Sequence, residues 1–373
     1  MRSPRHLRYL ALALGRKRNA TPVYLIHHVT DHCNAKCRHC FIIHDGNYAI
    51  PDGVSGGSLL TIEEIADLTK HLGPNLYTVQ ITGGEPLLRA DLLAIVRAYY
   101  SNSAARYVQV CTNGMYTDRI VSLGETVLGE NPNRRLGFVI SVDDIGSLHD
   151  ENRGVPGMFD ALAASIRGLQ ALQKHFSGLQ VSVNVTATRF NQDRLLLIYE
   201  RLQEMGVSNV LTTLVRGNPA DTGALGVDPA KYSAFVEKCA DGWFAQRDWG
   251  FRGLLEAPLV NAQNILTHRR NVERISNPDK PQVCYAGLLS AVIYADGSVA
   301  LCEEEPYVIG NVRDWSFDFV GLWRSAAANR VRAWKSAIPC VCTHECFAIC
   351  NVLFNPRDWP AVAAVGMRRY LSL

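Results

Sequence analysis

The sequence predicts an α/β protein in which a parallel β/α barrel is followed by a small cysteine-rich region. Between residue 22 and about residue 215, short apolar stretches alternate with longer stretches whose apolar residues recur at helical spacing. This alternation is typical of βαβ units and therefore of a parallel sheet. Six of the eleven cysteines lie between Cys284 and Cys350. They predict a separate metal-binding unit in the C-terminal part of the chain.

The composition is that of an ordinary globular protein. Of 373 residues, 47% are hydrophobic and 20% are charged, and the length allows one large domain and a smaller one. A net charge of +3 gives no reason to expect nucleic-acid binding. Seven cysteines at metal-ligand spacings, with no recognisable secretion signal, predict a reducing compartment, the cytoplasm, rather than a disulfide framework. No apolar run is long enough to span a bilayer.

The first twenty residues carry a basic patch around the apolar stretch Leu7–Leu14. This stretch is short and Arg8 interrupts it, so a cleaved signal peptide is not expected. The sequence predicts an amphipathic helix packed on the barrel wall. The alternative is a peripheral contact with anionic lipid or with a nucleotide-bearing substrate. The basic residues are Arg2, Arg5, Arg8, Arg16, Lys17 and Arg18.

The predicted barrel contains six strands and five helices. Thr61 is expected to cap the first helix. The predicted strands are Val23–Val29, Leu76–Ile81, Tyr107–Cys111, Leu136–Val142, Gln180–Thr186 and Val210–Leu214. The predicted helices are Thr61–Leu72, Leu87–Tyr100, Asp118–Leu128, Phe159–His175 and Arg194–Met205. Functional side chains are expected at the C-terminal ends of the strands, as in other β/α barrels.

Three cysteines follow the first predicted strand, at spacings of four and three residues: Cys33, Cys37 and Cys40. They can converge on one centre but supply three ligands, whereas a structural zinc site uses four. An iron–sulfur cluster held by three thiolates leaves one iron open to a cofactor or substrate. The alternative is a zinc knuckle that borrows His39 or His44.

This cysteine motif, with Phe41 after it, resembles that of the radical S-adenosylmethionine (radical SAM) enzymes. The resemblance implies an open, partial six-stranded barrel and a [4Fe–4S] cluster whose unique iron binds SAM. It also implies cleavage of SAM to a 5′-deoxyadenosyl radical, driven by an external electron donor of the flavodoxin or ferredoxin type. His39 departs from the family, in which most members have an aromatic residue before the third cysteine.

Further motifs at the strand ends continue the resemblance. Gly83-Gly84-Glu85-Pro86 matches the family's glycine-rich motif for the SAM amino group, and Asn113 lies in a Cys-Thr-Asn-Gly segment that the family often has. For Asn113 the alternative is a plain Asn-Gly turn. The resemblance implies that Ser141 and Arg153, twelve residues apart, bind the carboxylate and ribose of SAM, that Leu211 faces its adenine, and that Asp143 belongs to the same site. His149 and Asp150 are expected to order the loop between Ser141 and Arg153.

The C-terminal cysteines begin with Cys284, then twelve residues, Gly297, four residues and Cys302. The Asp-Gly pair at 296–297 predicts a hairpin. Together with Cys340, Cys342, Cys346 and Cys350, this pattern resembles the SPASM extension, or its shorter twitch form, which binds auxiliary [4Fe–4S] clusters. We expect at least one complete auxiliary cluster, held by Cys284, Cys302 and two of the last four cysteines. A second cluster and a zinc ribbon are the alternatives.

The expected domain order is a basic N-terminal segment, the barrel, a bridging helical region, the auxiliary-cluster domain and a tail. The boundaries are 1–21, 22–220, 221–281, 282–355 and 356–373. Within the bridge, Tyr232–Phe244 reads as an amphipathic helix, and this region is expected to meet the substrate.

The predicted function is hydrogen abstraction from a substrate C–H bond, with the auxiliary cluster as electron acceptor or substrate ligand. The expected substrate is a small molecule such as a sugar, nucleoside or antibiotic precursor. One alternative is a peptide-modifying maturase with a separate recognition partner, and another is a non-catalytic iron–sulfur or zinc scaffold. Sulfatase-maturing relatives place an aspartate, a proposed base, directly after the cysteine that matches Cys302. Glu303 occupies that position and is expected to be either such a base or part of a solvated acidic hairpin end, which is the reading for Glu304 and Glu305.

Overall fold

A computed structural model describes residues 5–15, 17, 20–44, 47–48, 57–245, 256–277, 283–304, 307–337, 340 and 342–371. Arg2, Arg16, Arg18 and Glu305 lie outside the described residues. The strands are β1 Tyr24–Thr30, β2 Ile43–His44, β3 Asn47–Tyr48, β4 Thr78–Gly83, β5 Tyr107–Thr112, β6 Arg135–Ser141, β7 Leu179–Ala187, β8 Val210–Leu214, β9 Ser290–Ile293, β10 Ser298–Ala300 and β11 Val308–Asn311. The helices are α1 Arg5–Ala13, α2 Ile62–Lys70, α3 Leu92–Asn102, α4 Thr117–Glu130, α5 Ser147–Arg153, α6 Met158–Gln173, α7 Leu195–Glu204, α8 Pro229–Ala245, α9 Glu256–Ser276, α10 Phe319–Arg324, α11 Ala326–Ala337, α12 Glu345–Leu353 and α13 Trp359–Leu371.

Nine strands form one sheet in the order β11-β10-β9-β1-β4-β5-β6-β7-β8. From β9 to β8 every neighbouring pair is parallel, while β9, β10 and β11 pair antiparallel. The six strands that the sequence predicts are β1 and β4 to β8, and their pairing confirms the predicted α/β class with a parallel sheet. The helices between them return the chain from one strand end to the next strand start, as parallel connections require.

The alternation of side chains along each strand decides which of them face the helices and which face the barrel interior. Val108 and Val110 of β5 are fully buried in the hydrophobic core, whereas Tyr107, Gln109 and Cys111 line an internal cavity. Alternate residues of a strand point to opposite faces, so one strand serves both surfaces. The same alternation continues in β4, β6 and β7. The inward face of these strands therefore contributes Thr, Gln, Asn, Ser and Tyr to the cavity lining, and aliphatic side chains such as Val139, Leu211 and Leu214 line it as well.

Local hydrogen bonds explain where two of the predicted helices begin. Thr61 caps α2 as predicted, because its Oγ1 accepts from the Glu64 backbone and the Glu64 side chain accepts from the Thr61 backbone. The helix predicted to start at Leu87 starts later, at Leu92. A separate 3₁₀ turn over Pro86–Leu88 precedes it, and the Glu85 side chain caps that turn.

The segment around His149 and Asp150, expected to be a loop, is the short helix α5. It ends at Gly154, which has a left-handed φ of 68°. A glycine takes this conformation without the steric cost that a side chain would add. The helical geometry directs Arg153 back towards the cysteine loop. The sequence did not predict this helix, because the segment has only seven residues and no clear hydrophobic periodicity.

The C-terminal region extends the barrel sheet rather than standing apart from it. β9 pairs in parallel with β1, from Tyr24 opposite Ser290 to His27 opposite Ile293. The predicted hairpin is confirmed: β9 and β10 are antiparallel, and Gly297 turns with φ of 91°. Cys284 precedes this hairpin and Cys302 follows it.

Helix α1 packs on the body of the protein, as the sequence predicts. Tyr9 is edge-on to Tyr77 at 6.0 Å and to Phe354 at 6.5 Å between ring centroids. Arg8 donates to the Pro74 carbonyl at 2.7 Å, and Leu12 is buried in a hydrophobic cluster. The lipid contact suggested for this segment stays a prediction. Within the described ranges, no helix has the length and apolar character needed to cross a membrane.

Candidate active site

The cysteine loop lies at the C-terminal end of β1 and is anchored on α5. The Lys36 and Arg38 amides donate to the carbonyls of Arg153 and Asn152 at 2.9 and 3.0 Å. This attachment brings three free thiols into one short loop, each of them partly exposed: Cys33, Cys37 and Cys40.

Nitrogen donors already point at these sulfurs. The Ile43 amide lies 3.2 Å from Cys40 Sγ, and Arg153 Nη1 lies 3.4 Å from Cys37 Sγ. Burial raises the pKa of Cys37 to about 12, so its ligation to a metal centre requires that the thiol lose its proton to solvent. Hydrogen bonds to cluster sulfurs are a known protein contribution at iron–sulfur sites. Three thiols with N–H donors around them therefore fit a three-thiolate cluster.

Gly83 and Gly84 allow the end of β4 to touch the cysteine loop. The Gly84 amide donates to the Thr30 carbonyl at 2.9 Å. A Cβ on Gly84 would lie 1.9 Å from the His32 carbonyl oxygen, and one on Gly83 would lie 2.2 Å from that of Thr30. Only glycines fit this close approach. Their predicted contact with the SAM amino group stays a prediction, as does that of Pro86, which opens the following 3₁₀ turn.

Glu85 joins two strand ends. It is buried, and its carboxylate accepts from the Leu87 amide, Thr112 Oγ1 and the Asn113 amide at 3.0, 2.8 and 2.8 Å. Asn113 in turn donates from Nδ2 to Asn34 of the cysteine loop at 2.8 Å. Burial raises the pKa of Glu85, and these hydrogen bonds oppose the rise. Glu85 and Asn113 thus hold the loops around the cluster site, and their cofactor contact stays a prediction.

Asp143 and Arg153 form a buried ion pair at the end of β6. Arg153 Nε donates to Asp143 Oδ2 at 2.7 Å, and the Thr186 amide donates to Oδ1 at 3.2 Å. Burial alone would raise the pKa of Asp143, but the Arg153 guanidinium outweighs it and holds this pKa at about 2. Asp143 therefore stays ionised and orients Arg153, which lines the cavity together with Ser141.

One cavity of about 650 Å³ runs through the barrel interior. Residues of the predicted SAM site line it: Cys37, Cys40, Phe41, Ser141, Arg153 and Leu211. Arg216, beside the Phe41 ring, lines it too, as do four residues of the C-terminal region: Glu345, Cys346, Ile349 and Cys350. The structure thus brings the radical-cluster cysteines and two predicted auxiliary ligands to the walls of one space.

The six C-terminal cysteines fall into two neighbourhoods. A hydrogen bond with Cys340 and burial raise the pKa of Cys342 well above its usual range, and Cys302 adds to this rise. Burial raises the pKa of Cys350 to about 12, with Cys346 and Cys284 contributing. Cys302, Cys340 and Cys342 are therefore neighbours, and so are Cys284, Cys346 and Cys350. Across the described ranges, no three or more His, Cys, Asp or Glu side chains converge as a single metal ion would require.

Glu303 lies between two histidines that the sequence analysis missed. Oε1 is 2.8 Å from His28 Nε2, and Oε2 is 2.6 Å from His344 Nε2. Burial would raise the pKa of Glu303, but the two imidazoles lower it well below its usual range. The carboxylate faces these rings and is not among the residues that line the cavity. Its role as a base stays a prediction. His28 lies beside His27 in the middle of a mostly apolar strand, and this placement was the available signal.

Glu345 is the carboxylate that does line the cavity. It accepts from the Leu214 amide at 3.0 Å and from Arg216 Nη1 at 2.9 Å. The sequence analysis did not single it out, although an acidic residue directly before a predicted ligand, Cys346, was a usable signal.

Two family models match the chain. The model of the radical SAM superfamily matches residues 28–129, which include the cysteine loop and the glycine motif, so the chain contains a radical SAM domain and is an enzyme. The model of the SPASM iron-sulfur cluster-binding domain matches residues 284–347, so the chain is of the SPASM-containing kind. Its cofactors are accordingly [4Fe–4S] clusters and SAM, which the thiol sets and the Ser141–Arg153 wall fit.

Curated relatives are of moderate similarity. Over 314 residues the chain is 27% identical to an AdoMet-dependent heme synthase of Oleidesulfovibrio alaskensis, covering 80% of this chain and 73% of the relative. The heme synthase of Methanosarcina barkeri is 26% identical over 81% of this chain and 82% of its own length. A pre-heme d1 synthase of Dinoroseobacter shibae is 28% identical over 203 residues, and this match spans 45% of that relative.

Solved structures share the fold. The structure of anSMEcpe with bound AdoMet has a TM-score of 0.56 at 16% identity and covers 94% of both chains. Streptococcus suis SuiB bound to the precursor peptide SuiA has a TM-score of 0.55 at 16% identity, over 93% of this chain and 74% of SuiB. At these identities the likeness concerns the fold alone.

Proposed function

We propose that this radical SAM enzyme abstracts hydrogen from, and oxidises, a small polar molecule held inside the barrel, such as a sugar or nucleoside. When bound, SAM and its cluster supply the 5′-deoxyadenosyl radical that abstracts the hydrogen, with an external donor of the flavodoxin or ferredoxin type as electron source. The chain's residues bind and orient the substrate and exclude water.

The observation that carries this proposal is the cavity that Cys37 and Cys40, of the predicted radical-cluster ligands, line together with Cys346 and Cys350. Its volume of about 650 Å³ lies in the range of ordinary small-molecule sites, and part of it serves SAM. The remaining space suits a compact substrate.

The chemistry of the walls supports the same class. Inward-facing side chains of β4, β5 and β7 are amides and hydroxyls, among them Gln80, Gln109, Gln180, Ser182 and Asn184. Such groups pair with hydroxyl and amide groups of an uncharged ligand and orient it without ionic contacts. Asn209 also lines the cavity, and its buried Oδ1 has no hydrogen-bond partner among the residues that the structure describes.

A second candidate is a tetrapyrrole side chain, because two relatives that match over 80% and 81% of this chain are named AdoMet-dependent heme synthases. This candidate requires the macrocycle edge to enter the cavity, whose lining includes three arginines and one carboxylate: Arg135, Arg153, Arg216 and Glu345. A peptide is the third class to be tested.

Deuterium transfer separates these classes. The reconstituted enzyme is incubated anaerobically with SAM, reductant and perdeuterated sugars and nucleosides, a porphyrin with deuterated propionates, or a perdeuterated peptide mixture. We expect deuterium in 5′-deoxyadenosine only with the small polar molecules. Deuterium from the porphyrin or from peptides alone would overturn the proposal, and the Cys33/Cys37/Cys40→Ala variant is the background control.

A further inference from the structure

We propose that Arg216 is a positioning residue that links the radical-cluster loop to both auxiliary cysteine segments and, through its charge, sets the reduction potential of the auxiliary cluster. This inference rests on the SPASM assignment and is independent of the proposed substrate.

Arg216 stands two residues after β8, at the C-terminal end of the barrel, and lines the cavity. Its guanidinium lies over the Phe41 ring at 5.2 Å from the centroid, and Phe41 directly follows Cys40. The neighbouring Gly217 packs on the same ring, because a Cβ there would lie 3.3 Å from Phe41 Cβ. On this side, Arg216 fixes the loop that carries the radical-cluster cysteines.

On its other side, the same guanidinium meets three carboxylates. Nη1 lies 2.9 Å from Glu345, Nε lies 3.1 Å from Glu304 and Nη2 lies 3.6 Å from Glu303. Glu303 and Glu304 directly follow Cys302, and Glu345 directly precedes Cys346. One cation therefore holds together two acidic segments that are distant in sequence, each adjacent to an auxiliary cysteine.

These charges are shielded from solvent. The side chain of Arg216 is 14% exposed, and those of Glu303 and Glu345 are 5% and 8% exposed. Buried charges interact strongly because water screens them little. Without Arg216, Glu304 and Glu345 would lose this counter-ion, while His28 and His344 would still face Glu303. The added negative charge beside the cluster site would disfavour adding an electron there. The arginine thus favours the reduced form.

The potential can be measured without SAM chemistry. The titration uses the full-length Cys33/Cys37/Cys40→Ala protein loaded with auxiliary iron. An EPR-monitored redox titration compares this parent, which retains Arg216, with the same protein carrying Arg216→Met. We expect the ratio of reduced to oxidised cluster at a fixed potential to fall about tenfold, which is a shift of about 59 mV for a one-electron couple. The same titration on the enzyme with all clusters checks the result.

Two variants isolate the charge from the packing. Arg216→Lys keeps the positive charge. Arg216→Met/Glu345→Gln removes one positive and one negative charge and so keeps the net charge of the cluster surroundings. Both variants should therefore retain the parental potential. Arg194→Met is the matched control. Its side chain is 38% exposed and pairs with Asp144 at 3.0 Å, so solvent screens the lost charge and this change should not shift the potential.

An unchanged potential in an iron-loaded Arg216→Met protein would overturn the proposal, as would an equal shift in Arg194→Met. Should Arg216→Met lose its auxiliary iron, the lysine and double variants decide. Parental potentials in both support the role, and a shift or loss of iron in either contradicts it. Because no substrate enters this experiment, its failure is distinct from failure of the proposed function.

Discussion

Arg153 Nε donates a 2.7 Å hydrogen bond to Asp143 Oδ2, and both side chains are buried. The same guanidinium lies 3.4 Å from Cys37 Sγ through Nη1 and lines the cavity. One side chain is therefore positioned by a carboxylate, contacts a predicted cluster ligand and faces the predicted SAM site.

Arg153→Ala should weaken SAM binding by about 1.5–3 kcal/mol, because a charge-assisted hydrogen bond to the SAM carboxylate is lost. It should also destabilise the fold by about 3–5 kcal/mol, because Asp143 is left buried without its counter-ion. Calorimetric titration with SAM and thermal melting measure the two effects. Arg153→Ala/Asp143→Asn should recover stability but not affinity. SAM affinity equal to that of the parent in either variant would assign Arg153 a purely structural role.

Replacing Cys33, Cys37 and Cys40 together with alanine should abolish reductive SAM cleavage. The auxiliary thiols are untouched, so part of the iron should remain bound. Iron analysis and a 5′-deoxyadenosine assay after anaerobic reconstitution give both values. Undiminished 5′-deoxyadenosine formation would contradict the assignment of these ligands.

Gly84→Ala should prevent loading of the radical cluster. Its Cβ would lie 1.9 Å from the His32 carbonyl oxygen, so the cysteine loop must shift. Gly129→Ala is the matched control, because a Cβ there meets nothing within 4 Å and replaces a helical glycine. The control should keep its iron and gain about 0.5–1 kcal/mol of stability. Equal iron content in the two variants would refute the packing argument.

The barrel was predictable because hydrophobic periodicity is local. The six strands and the Thr61 cap follow from residues within a few positions of each other. The two cysteine motifs are likewise read within short windows. What the sequence could not supply are relations between distant segments, such as β9 pairing with β1 or Arg216 meeting Glu345 across 129 positions.

Glu303 illustrates the same limit. Its place after Cys302 is a local feature and suggested a base. Its two partners, His28 and His344, come from the first strand and from the segment before α12. These contacts determine the surroundings of the carboxylate. They join segments that are distant in sequence, so the spacing of residues along the chain could not predict them.

If Glu303 acts as the base, Glu303→Gln should still cleave SAM but lose about 10²–10⁴-fold in product formation. The ratio of product to 5′-deoxyadenosine is the measurement, and Glu304→Gln, one residue away, is the control. Product formation at the parental ratio, with only a lower melting temperature, would leave Glu303 as a structural partner of the two histidines.

Glu64 and Arg313 join the first barrel helix to the C-terminal region. Arg313 Nε and Nη2 donate to the two carboxylate oxygens of Glu64 at 2.7 Å each, and Nη2 also reaches the Leu59 carbonyl at 3.1 Å. Glu64→Gln should cost about 1 kcal/mol for this partly exposed bidentate pair, which lowers the melting temperature by about 2–4 °C. Glu63→Gln, at the adjacent exposed position, should change stability by less than about 0.5 kcal/mol.

The same pair predicts a pH dependence with a definite sign. Hydrogen bonds from Arg313 hold the pKa of Glu64 below its ordinary value. A carboxylate whose pKa is lower in the folded state contributes stability above its ordinary pKa, and this contribution disappears as the pH falls through the lowered value. The melting-temperature difference between the parent and Glu64→Gln should therefore be full at neutral pH and shrink in acid as Glu64 becomes protonated. A difference that stays constant through the acidic range would mean that the two segments are joined by packing and backbone contacts rather than by this ion pair.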